Sequence, residues 1–352
     1  MNGRALKIAQ VAPLQHAVPP RADGGTERMV ADLSDALTAA GHDVTVFAAE
    51  GSVVAGTLRV QGAAASDRDD APPGYKAAAE CVMLEDVAAS ANAFDIIHCH
   101  TEFAHALALR ACREKTLTTL HWRTDEADRQ AFFAGIPGLR LAAISESQAS
   151  HCPEHALEGV VPHGIAADRY TPGPGGRGAV FLGRMTDQKG PDRAISAARR
   201  AGMPIALAGD IDIGNPSYFA DHVEPLLGED ARHIGPVGDA QKQDLLGQAD
   251  ALLFPIDWPE PFGLVMIEAM ACGTPVVAWR RGSVPEVVED GVTGFVVDSE
   301  EEAADALRRA HALDRKAVRA AFDARHTATR MAADYAAIYA RMIAGQASEA
   351  AA

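Results

Sequence analysis

Short apolar runs alternate with helical patterns along nearly the whole chain, and this alternation restricts the fold more than any other feature of the sequence. Such runs are typical of strands that are buried on both faces of a parallel sheet. In the first half of the chain they lie at residues 6–12, 43–48, 95–99, 116–120, 141–144 and 159–161. In the second half they lie at residues 179–182, 204–208, 251–254, 275–278 and 294–297. The pattern therefore predicts an α/β protein with doubly wound parallel sheets.

A cluster of Pro and Gly at residues 171–178 separates the two sets of strands. A chain of 352 residues is long enough for two cores. We therefore predict a Rossmann-like domain at residues 1–168, a linker at 169–178 and a second Rossmann-like domain at 179–325. Residues 326–345 are predicted to form a helix that crosses back to the first domain. The apolar face of this helix carries Met331, Tyr335, Ile338, Tyr339 and Met342.

The composition argues against two classes of partner. The formal net charge is −16, and no stretch gathers Lys and Arg into a block. Binding of nucleic acid through its phosphates and docking of a basic face on a membrane are therefore not expected. The five cysteines show no metal-ligand or redox spacing, and residues 1–13 lack the long apolar run of a signal peptide. We expect a cytoplasmic protein with reduced thiols.

The most informative segment, residues 258–275, lies between two predicted strands of the second domain. Two prolines favour an extended turn, and Gly263 precedes a helix whose first amides lack intrahelical partners. At the carboxyl ends of strands such amides attract anions and hydroxyls. Glu268 falls close to the apolar face of this helix and needs a partner there. A salt bridge to an Arg or a helix cap would also satisfy Glu268, and Glu260 could be a loop charge.

A second segment, residues 181–190, runs from a predicted strand into a loop that carries Gly183, Arg184 and Lys189. Arginine offers a planar fork to phosphate oxygens, and lysine offers a mobile point charge. The glycine spacing of a Walker phosphate loop is absent from the sequence. The segment therefore suits a diphosphate, although both cations could equally be surface charges.

Two further features follow predicted strands. Gly24 and Gly25 allow the backbone to approach a ligand, and Thr26 is expected to cap the next helix. Glycine serves packing in such turns at least as often as binding. Histidines lie at the ends of several strands, where a near-neutral base or donor is useful. They are His98, His100, His121 and His163, of which His121 is the functional candidate.

Together these segments resemble family 4 of the retaining glycosyltransferases, and the resemblance spans nearly the whole chain in order. The residues that carry it are Gly24-Gly25, Asp95 to His100, Thr119-Leu-His121, Ile144 to Ser147, Gly183-Arg184, Lys189-Gly190, and Glu260 and Glu268 with seven residues between them. The resemblance implies the GT-B fold, in which two Rossmann-like domains face each other across a cleft. It also implies transfer of a hexosyl group from a UDP-sugar or GDP-sugar to a hydroxyl of a sugar or small-molecule acceptor. Retention of configuration, no metal or cofactor, and a place in polysaccharide or glycoconjugate synthesis complete the expectation.

The resemblance also implies roles for single residues. Arg184 and Lys189 would bind the donor diphosphate and stabilise it as it leaves. Glu260 would bind the sugar hydroxyls, and His121 would lie by the sugar at the reaction centre. These four residues are the expected catalytic set.

The remaining expected contacts are to the donor. Backbone amides would bind the phosphates at Gly24-Gly25 and the sugar at Phe262, Gly263 and Leu264. Glu268 would accept hydrogen bonds from the ribose. The segment Val237-Gly238 would lie near the base.

The sequence departs from the family at one loop and leaves rival interpretations open. His163-Gly-Ile-Ala166 stands where the family has Asn-Gly-Ile-Asp, so no role transfers to an acid there. Asp210-Ile-Asp212 could bind the metal of a metal-dependent transferase. A sugar phosphorylase, a sucrose-synthase-like enzyme on the same scaffold and a degenerate binding module are further alternatives.

Overall fold

The computed structural model describes residues 4–21, 24–67, 72 and 74–350, with side chains up to residue 346, and it divides the chain into two compact units. The first unit contains Met1–Ala166 and Ala328–Ala352, and the second contains Ala167–Thr327. Each unit is built around one parallel sheet.

The sheet of the first unit has the strand order β3-β2-β1-β4-β5-β6-β7, and every neighbouring pair is parallel. Its strands are β1 (Lys7–Val11), β2 (Asp43–Ala48), β3 (Thr57–Val60), β4 (Ile96–Cys99), β5 (Thr116–Thr119), β6 (Leu141–Ala143) and β7 (Leu157–Val160). In this sheet β1 and β4 are neighbours, with β2 and β3 beyond β1 and with β5 to β7 beyond β4. The strand order therefore reverses between β1 and β4.

The sheet of the second unit has the order β10-β9-β8-β11-β12-β13 and is also parallel throughout. Its strands are β8 (Ala179–Leu182), β9 (Ile205–Ala208), β10 (Ala231–His233), β11 (Ala251–Phe254), β12 (Val276–Trp279) and β13 (Gly294–Val297). The strand order reverses here between β8 and β11. Ligands of doubly wound folds bind beyond the carboxyl ends of strands at such a reversal.

These two sheets confirm the predicted α/β class with doubly wound parallel sheets. The predicted strands agree with the observed ones to within two residues at each end. The strands β3 and β10 were not predicted as distinct runs. Both are edge strands with few buried residues, so they lack the continuous apolar run on which the prediction depends.

Helices cover both faces of each sheet. In the first unit they are α1 (Gly25–Ala39), α2 (Tyr75–Ala89), α3 (His105–Ala108), α4 (Ala127–Gly135), α5 (Glu146–Ala149) and, from the end of the chain, α13 (Ala328–Ala350). In the second unit they are α6 (Pro191–Ala201), α7 (Pro216–Tyr218), α8 (Asp239–Gln248), α9 (Leu264–Ala271), α10 (Val284–Val287), α11 (Glu300–Ala310) and α12 (Arg315–Arg325). None of the helices in the described part of the chain is both long and apolar enough to cross a membrane.

The last helix, α13, completes the core of the first unit. Its buried side chains pack together with α1 and with β1, for example with Val30, Leu33 and Ile8. The buried side chains of α13 include Met331, Tyr335, Ile338, Tyr339 and Met342. The core of the first unit therefore depends on residues that follow the second unit in the sequence.

In the second unit, one arginine on α12 makes five hydrogen bonds. The Arg315 guanidinium donates to the carbonyl oxygens of Gly173, Gly247, Ala249 and Cys272, and to the hydroxyl of Thr274. Burial lowers the pKa of this guanidinium. Its bonds connect α12 to the first residues of the unit and to the carboxyl end of α9.

Several histidines of the first unit have lowered pKa values, because burial removes the water that would stabilise the charged rings. They are His98, His100, His105, His121 and His163. Burial lowers the pKa of His105 to about 4, from an ordinary value of 6.5. The unfolded chain therefore binds more protons between these two values. The stability contributed by the neutral ring is complete above pH 6.5 and is lost as the pH falls toward 4.

We predict that lowering the pH from 7 to 5 reduces the free energy of unfolding, and that His105→Asn diminishes this reduction by about 2 kcal/mol. Asparagine binds no proton in this range. Denaturant unfolding at both pH values measures the difference. The matched control is His311→Asn, at an exposed position, which should leave the pH dependence unchanged. An undiminished loss of stability in His105→Asn would contradict the prediction.

Candidate functional site

The loops that follow β8 and β11 meet where the strand order of the second sheet reverses. Gly190 is in the left-handed region at φ 71°, and a Cβ there would lie 2.6 Å from the carbonyl oxygen of Pro255. Any larger residue would therefore push the two loops apart. This close approach brings the Lys189 segment of one loop to the Glu260 segment of the other.

Lys189 and Glu260 form a largely buried ion pair. The Lys189 Nζ lies 2.5 Å from Oε2 of Glu260, and the two side chains are 18% and 12% exposed. The indole Nε1 of Trp258 donates to the same oxygen at 2.8 Å. The ammonium also lies 5.0 Å from the centre of the Trp258 ring, within the range of a cation–π contact. Two donors thus hold one oxygen of the Glu260 carboxylate, and the cation–π contact joins those two donors.

The backbone on the far side of Glu260 is equally confined. A Cβ at Gly282 would lie 2.3 Å from the carbonyl oxygen of Glu260, so the two segments touch through their backbones. The Ser283 amide donates to that carbonyl at 3.1 Å, and the Ser283 hydroxyl donates to the Phe262 carbonyl at 2.7 Å. Gly263 then caps α9 in the left-handed region, at φ 81°. The predicted amides of Phe262, Gly263 and Leu264 therefore lie directly beside Glu260, at the start of α9.

Glu268 lies further along α9 and is 4% exposed. Lys242 Nζ donates to both of its oxygens, at 2.8 and 3.0 Å, and the Tyr170 hydroxyl lies 3.5 Å away. The expected partner of this buried carboxylate is thus a lysine of α8 rather than an arginine or a helix end. The Lys242 amide donates to the Gly238 carbonyl, so α8 begins at the predicted base segment Val237-Gly238.

Arg184 differs from the two lysines because its side chain is 55% exposed. Its guanidinium lies 3.8 Å from the carboxylate of Asp212. The second acid of Asp210-Ile-Asp212 therefore faces a cation, which is an unfavourable neighbour for a metal ligand. In the part of the chain that the structure describes, no three His, Cys, Asp or Glu residues are grouped as a metal site would require.

The predicted residues of the first unit are Gly24, Gly25 and His121. Gly24 has φ 146°, and a Cβ there would lie 2.7 Å from Cβ of Pro20, so this position requires glycine. The helix α1 begins at Gly25 and its cap is Gly24, so the prediction that Thr26 caps this helix is wrong. The chain turns into the helix two residues earlier than expected, because two glycines accept the tight turn. The amide of Gly25 therefore lies in the first turn of α1, where intrahelical partners are lacking.

His121 follows β5 and contacts two other histidines. Its Nε2 lies 3.0 Å from Nδ1 of His100, and its ring stacks on His163 with the ring centres 5.4 Å apart. Burial lowers the pKa of His121 to about 3. The ring is therefore neutral at physiological pH.

A buried series of hydrogen bonds leads from His121 to α13. His100 Nε2 lies 2.7 Å from Oε1 of Gln10, and Nε2 of Gln10 donates to the Tyr339 hydroxyl at 3.3 Å. That hydroxyl lies 2.7 Å from Nδ1 of His98. From His98 the series continues through Thr119, 2.6 Å away, to the Tyr335 hydroxyl at 2.8 Å from Thr119. Polar groups on β1, β4, β5 and α13 are thus satisfied by one another.

The residues that act as partners of the predicted ones were not recognised from the sequence. Lys242 and Gln10 look like an ordinary helix cation and an ordinary strand residue, so their spacing gives no signal. Tyr339 was identified only as a core residue. The position of Trp258 in the sequence could have indicated its hydrogen bond to Glu260, since an indole two residues before a glutamate can reach the carboxylate.

The sequence matches two family models. The model described as "Glycosyltransferase Family 4" matches residues 23–169, and the model described as "Glycosyl transferases group 1" matches residues 173–327. The first match contains β2 to β7 of the first sheet, and the second match contains all six strands of the second sheet. The second match contains Arg184, Lys189, Glu260 and Glu268.

Individual proteins are similar over nearly the full length. The phosphatidyl-myo-inositol mannosyltransferase of Mycolicibacterium smegmatis is 27% identical over 329 residues, which are 83% of this chain and 81% of that protein. The crystal structure of AviGT4, a glycosyltransferase involved in avilamycin A biosynthesis, is 25% identical with a TM-score of 0.75, covering 97% of this chain and 98% of that one. Anabaena HepE in complex with UDP and glucose is 20% identical with a TM-score of 0.73, covering 96% and 100%.

We predict that Lys242→Met lowers the free energy of unfolding by about 3 kcal/mol, because it leaves the Glu268 carboxylate buried without a countercharge. Glu268→Gln in the same background should recover part of this loss. Denaturant unfolding of the two single variants and the double variant measures the coupling. The exposed pair Arg280 and Asp298 provides the control, since Arg280→Met should cost less than about 1 kcal/mol. Equal costs of Lys242→Met and Arg280→Met would show that Lys242 and Glu268 do not behave as a buried pair.

Proposed function

The chain belongs to the glycosyltransferases of group 1 and family 4, and we propose that it transfers a hexosyl group from a UDP-sugar or GDP-sugar to a hydroxyl acceptor with retention of configuration. The observation that carries the proposal is the Lys189–Glu260 pair at the strand-order reversal of the second sheet, beside the start of α9. A cation, a carboxylate and helix amides at one point provide partners for both parts of a sugar diphosphate. The acceptor is proposed to be a sugar or a small molecule.

The diphosphate is proposed to bind at Lys189 and Arg184. An ammonium has three donors, so Lys189 can contact a phosphate oxygen while it keeps its bond to Glu260. The exposed Arg184 fork supplies a second cation. Negative charge develops on the diphosphate as the bond to the sugar breaks, and fixed cations and helix amides stabilise this charge. Metal-independent transfer is therefore proposed, and no cofactor is assigned.

The sugar and the ribose are proposed to bind the two glutamates. Glu260 keeps unshared electron pairs that can accept from sugar hydroxyls beside the amides of Phe262, Gly263 and Leu264. Glu268 is paired with Lys242, and as an ionised acceptor it suits the hydroxyls of ribose, with Val237-Gly238 near the base. The M. smegmatis relative is named a mannosyltransferase, which is in keeping with a hexosyl donor.

The first unit is proposed to contribute to the same reaction. The backbone at Gly24-Gly25 offers the amides of a helix start to the donor phosphates. The neutral ring of His121 is proposed to contact the sugar at the reaction centre.

We predict that a screen of nucleotide sugars by thermal shift identifies a UDP-hexose or GDP-hexose that raises the melting temperature, because it binds the folded state alone. Turnover of that donor with simple alkyl glycosides should continue in EDTA, and NMR should find the anomeric configuration of the donor in the product. An inverted product would contradict retention. Loss of turnover in EDTA that manganese restores would favour the Asp210-Ile-Asp212 site instead. Phosphate-dependent breakdown of a disaccharide would favour the phosphorylase alternative.

We predict that the two glutamates differ in their effect on the binding of the free nucleoside diphosphate. Glu268→Ala should weaken it by about tenfold to a hundredfold, the effect of a lost charged hydrogen bond to the ribose. Glu260→Ala should leave it nearly unchanged and should chiefly lower the rate of transfer, because the nucleoside diphosphate lacks the sugar. Calorimetry measures both affinities, and Glu301→Ala, at an exposed position on α11, is the control. The reverse pattern in folded variants would show that the roles are exchanged.

A further inference from the structure

The hydrogen bonds between His121 and α13 have a single direction, which follows from the orientation of the Gln10 amide and from what each other group is able to donate. The Gln10 side chain presents its oxygen to His100 and its NH2 to Tyr339. A carbonyl oxygen only accepts, so His100 carries a proton on Nε2. In a neutral ring the other nitrogen then has none, and Nδ1 of His100 is an acceptor.

The protonation of His100 fixes that of His121 in turn. Because Nδ1 of His100 accepts, Nε2 of His121 must carry the proton that lies between them, across 3.0 Å. The neutral His121 ring then has an unprotonated Nδ1. That nitrogen has no hydrogen-bond partner among the described residues, so it can accept a bond from a ligand.

The far end of the series agrees with this direction. The Tyr339 hydroxyl accepts a hydrogen bond from the Gln10 NH2 and can therefore donate its own hydrogen to Nδ1 of His98. His98 then carries its proton on Nε2 and donates to Thr119. Thr119 in turn donates to the Tyr335 hydroxyl. Along the series each group donates to the next group away from His121. Every hydrogen bond therefore has one donor and one acceptor.

We propose that Gln10 and Tyr339 are positioning residues that set the tautomer of His121, with the proton on Nε2 and with Nδ1 free to accept a hydrogen bond from a hydroxyl of the bound sugar. Turning the Gln10 amide by half a turn would reverse every bond and would place the proton of His121 on Nδ1. His121 would then offer a donor instead of an acceptor. The Tyr339 hydroxyl accepts from the amide in the observed orientation and would donate to it in the reversed one, so it holds the amide in place while the orientation of the amide sets the direction.

Burial supports the arrangement in two ways. Gln10, His98 and Tyr339 are 0% exposed, so water does not compete for these bonds. Burial also lowers the pKa values of His98, His100 and His121, which keeps the three rings neutral and makes the tautomer a defined property. The contact with the sugar rests on the proposed transferase function, whereas the tautomer itself does not.

The tautomer is measured by NMR of the protein labelled with ¹⁵N in its histidines, without any ligand. The chain has 13 histidines, and the spectrum of His121→Gln identifies the signals of His121 by their loss. We expect a protonated Nε2 and an unprotonated Nδ1. A protonated Nδ1 in the native protein would overturn the proposal, whether or not the protein transfers sugars.

Two tyrosines of α13 provide a matched pair of variants. Tyr339→Phe and Tyr335→Phe each remove one hydroxyl from a fully buried ring, but only Tyr339 contacts Gln10. Tyr339→Phe leaves the NH2 of Gln10 without its acceptor, so the second tautomer of His121 should appear in the spectrum. Tyr335→Phe should keep the native tautomer. A folded Tyr339→Phe with an unchanged His121 signal would remove the positioning role from this residue.

The effect of the tautomer on function is tested by comparing the nucleotide sugar with the nucleoside diphosphate. In Tyr339→Phe the value of kcat/KM for the nucleotide sugar should fall by about fivefold to tenfold, as expected for a weakened neutral hydrogen bond. Affinity for the nucleoside diphosphate, which lacks the sugar, should remain unchanged. An equal loss for both ligands, or an equal loss of kcat/KM in Tyr335→Phe, would indicate a merely structural effect and would overturn the proposal. If no nucleotide sugar is turned over, the transferase proposal fails, and the NMR signals still decide the tautomer.

Discussion

The parallel arrangement of the strands is the constraint on which the rest of the structure depends. Since every strand of a sheet runs in the same direction, all of its carboxyl ends lie along one edge, and each connecting helix must cross a face of the sheet. The loops after β8 and β11 are neighbours because their strands are neighbours. Gly190 then lets those loops come close enough for side chains to touch, and Gly282 lets the loop after β12 approach the backbone of Glu260. The contact between Lys189 and Glu260 follows from this geometry rather than from their positions in the sequence.

The charges at the candidate site illustrate how an acidic protein can offer sites for anions. The formal net charge of −16 describes the whole chain, but the environment of each group is set by its immediate partners. Lys189 and Lys242 each neutralise a glutamate in a largely buried pair, and each ammonium has donors beyond those it uses. The exposed Arg184 lies 3.8 Å from Asp212, whose side chain is partly buried. The site therefore combines fixed pairs with a guanidinium that can exchange its partner.

Buried strands such as β8 and β11 could be predicted from the sequence because burial on both faces leaves a continuous apolar run. The edge strand β10 has no such run and could not be found in this way. Residue type and spacing identified Glu260 and Glu268. They did not identify Lys242 or Gln10, because tertiary packing decides which groups these two residues contact. The roles of the identified residues stay predictions. The cap of α1 was misplaced because a side-chain cap at Thr26 looked more favourable than a backbone turn at Gly24.

The position of α13 has a consequence for the order in which the protein can fold during synthesis. The first unit cannot bury Ile8, Val30 and Leu33 fully until Tyr335 and Tyr339 have been made, and the whole second unit is translated in between. One face of the first sheet therefore stays uncovered until α13 has been synthesised. The second unit contains all the residues of its own core and can fold as soon as it has been synthesised. Contacts between residues so far apart in the chain also close slowly. A chaperone that shields an apolar sheet face would thus act on the amino-terminal half of this protein, even though that half is synthesised first.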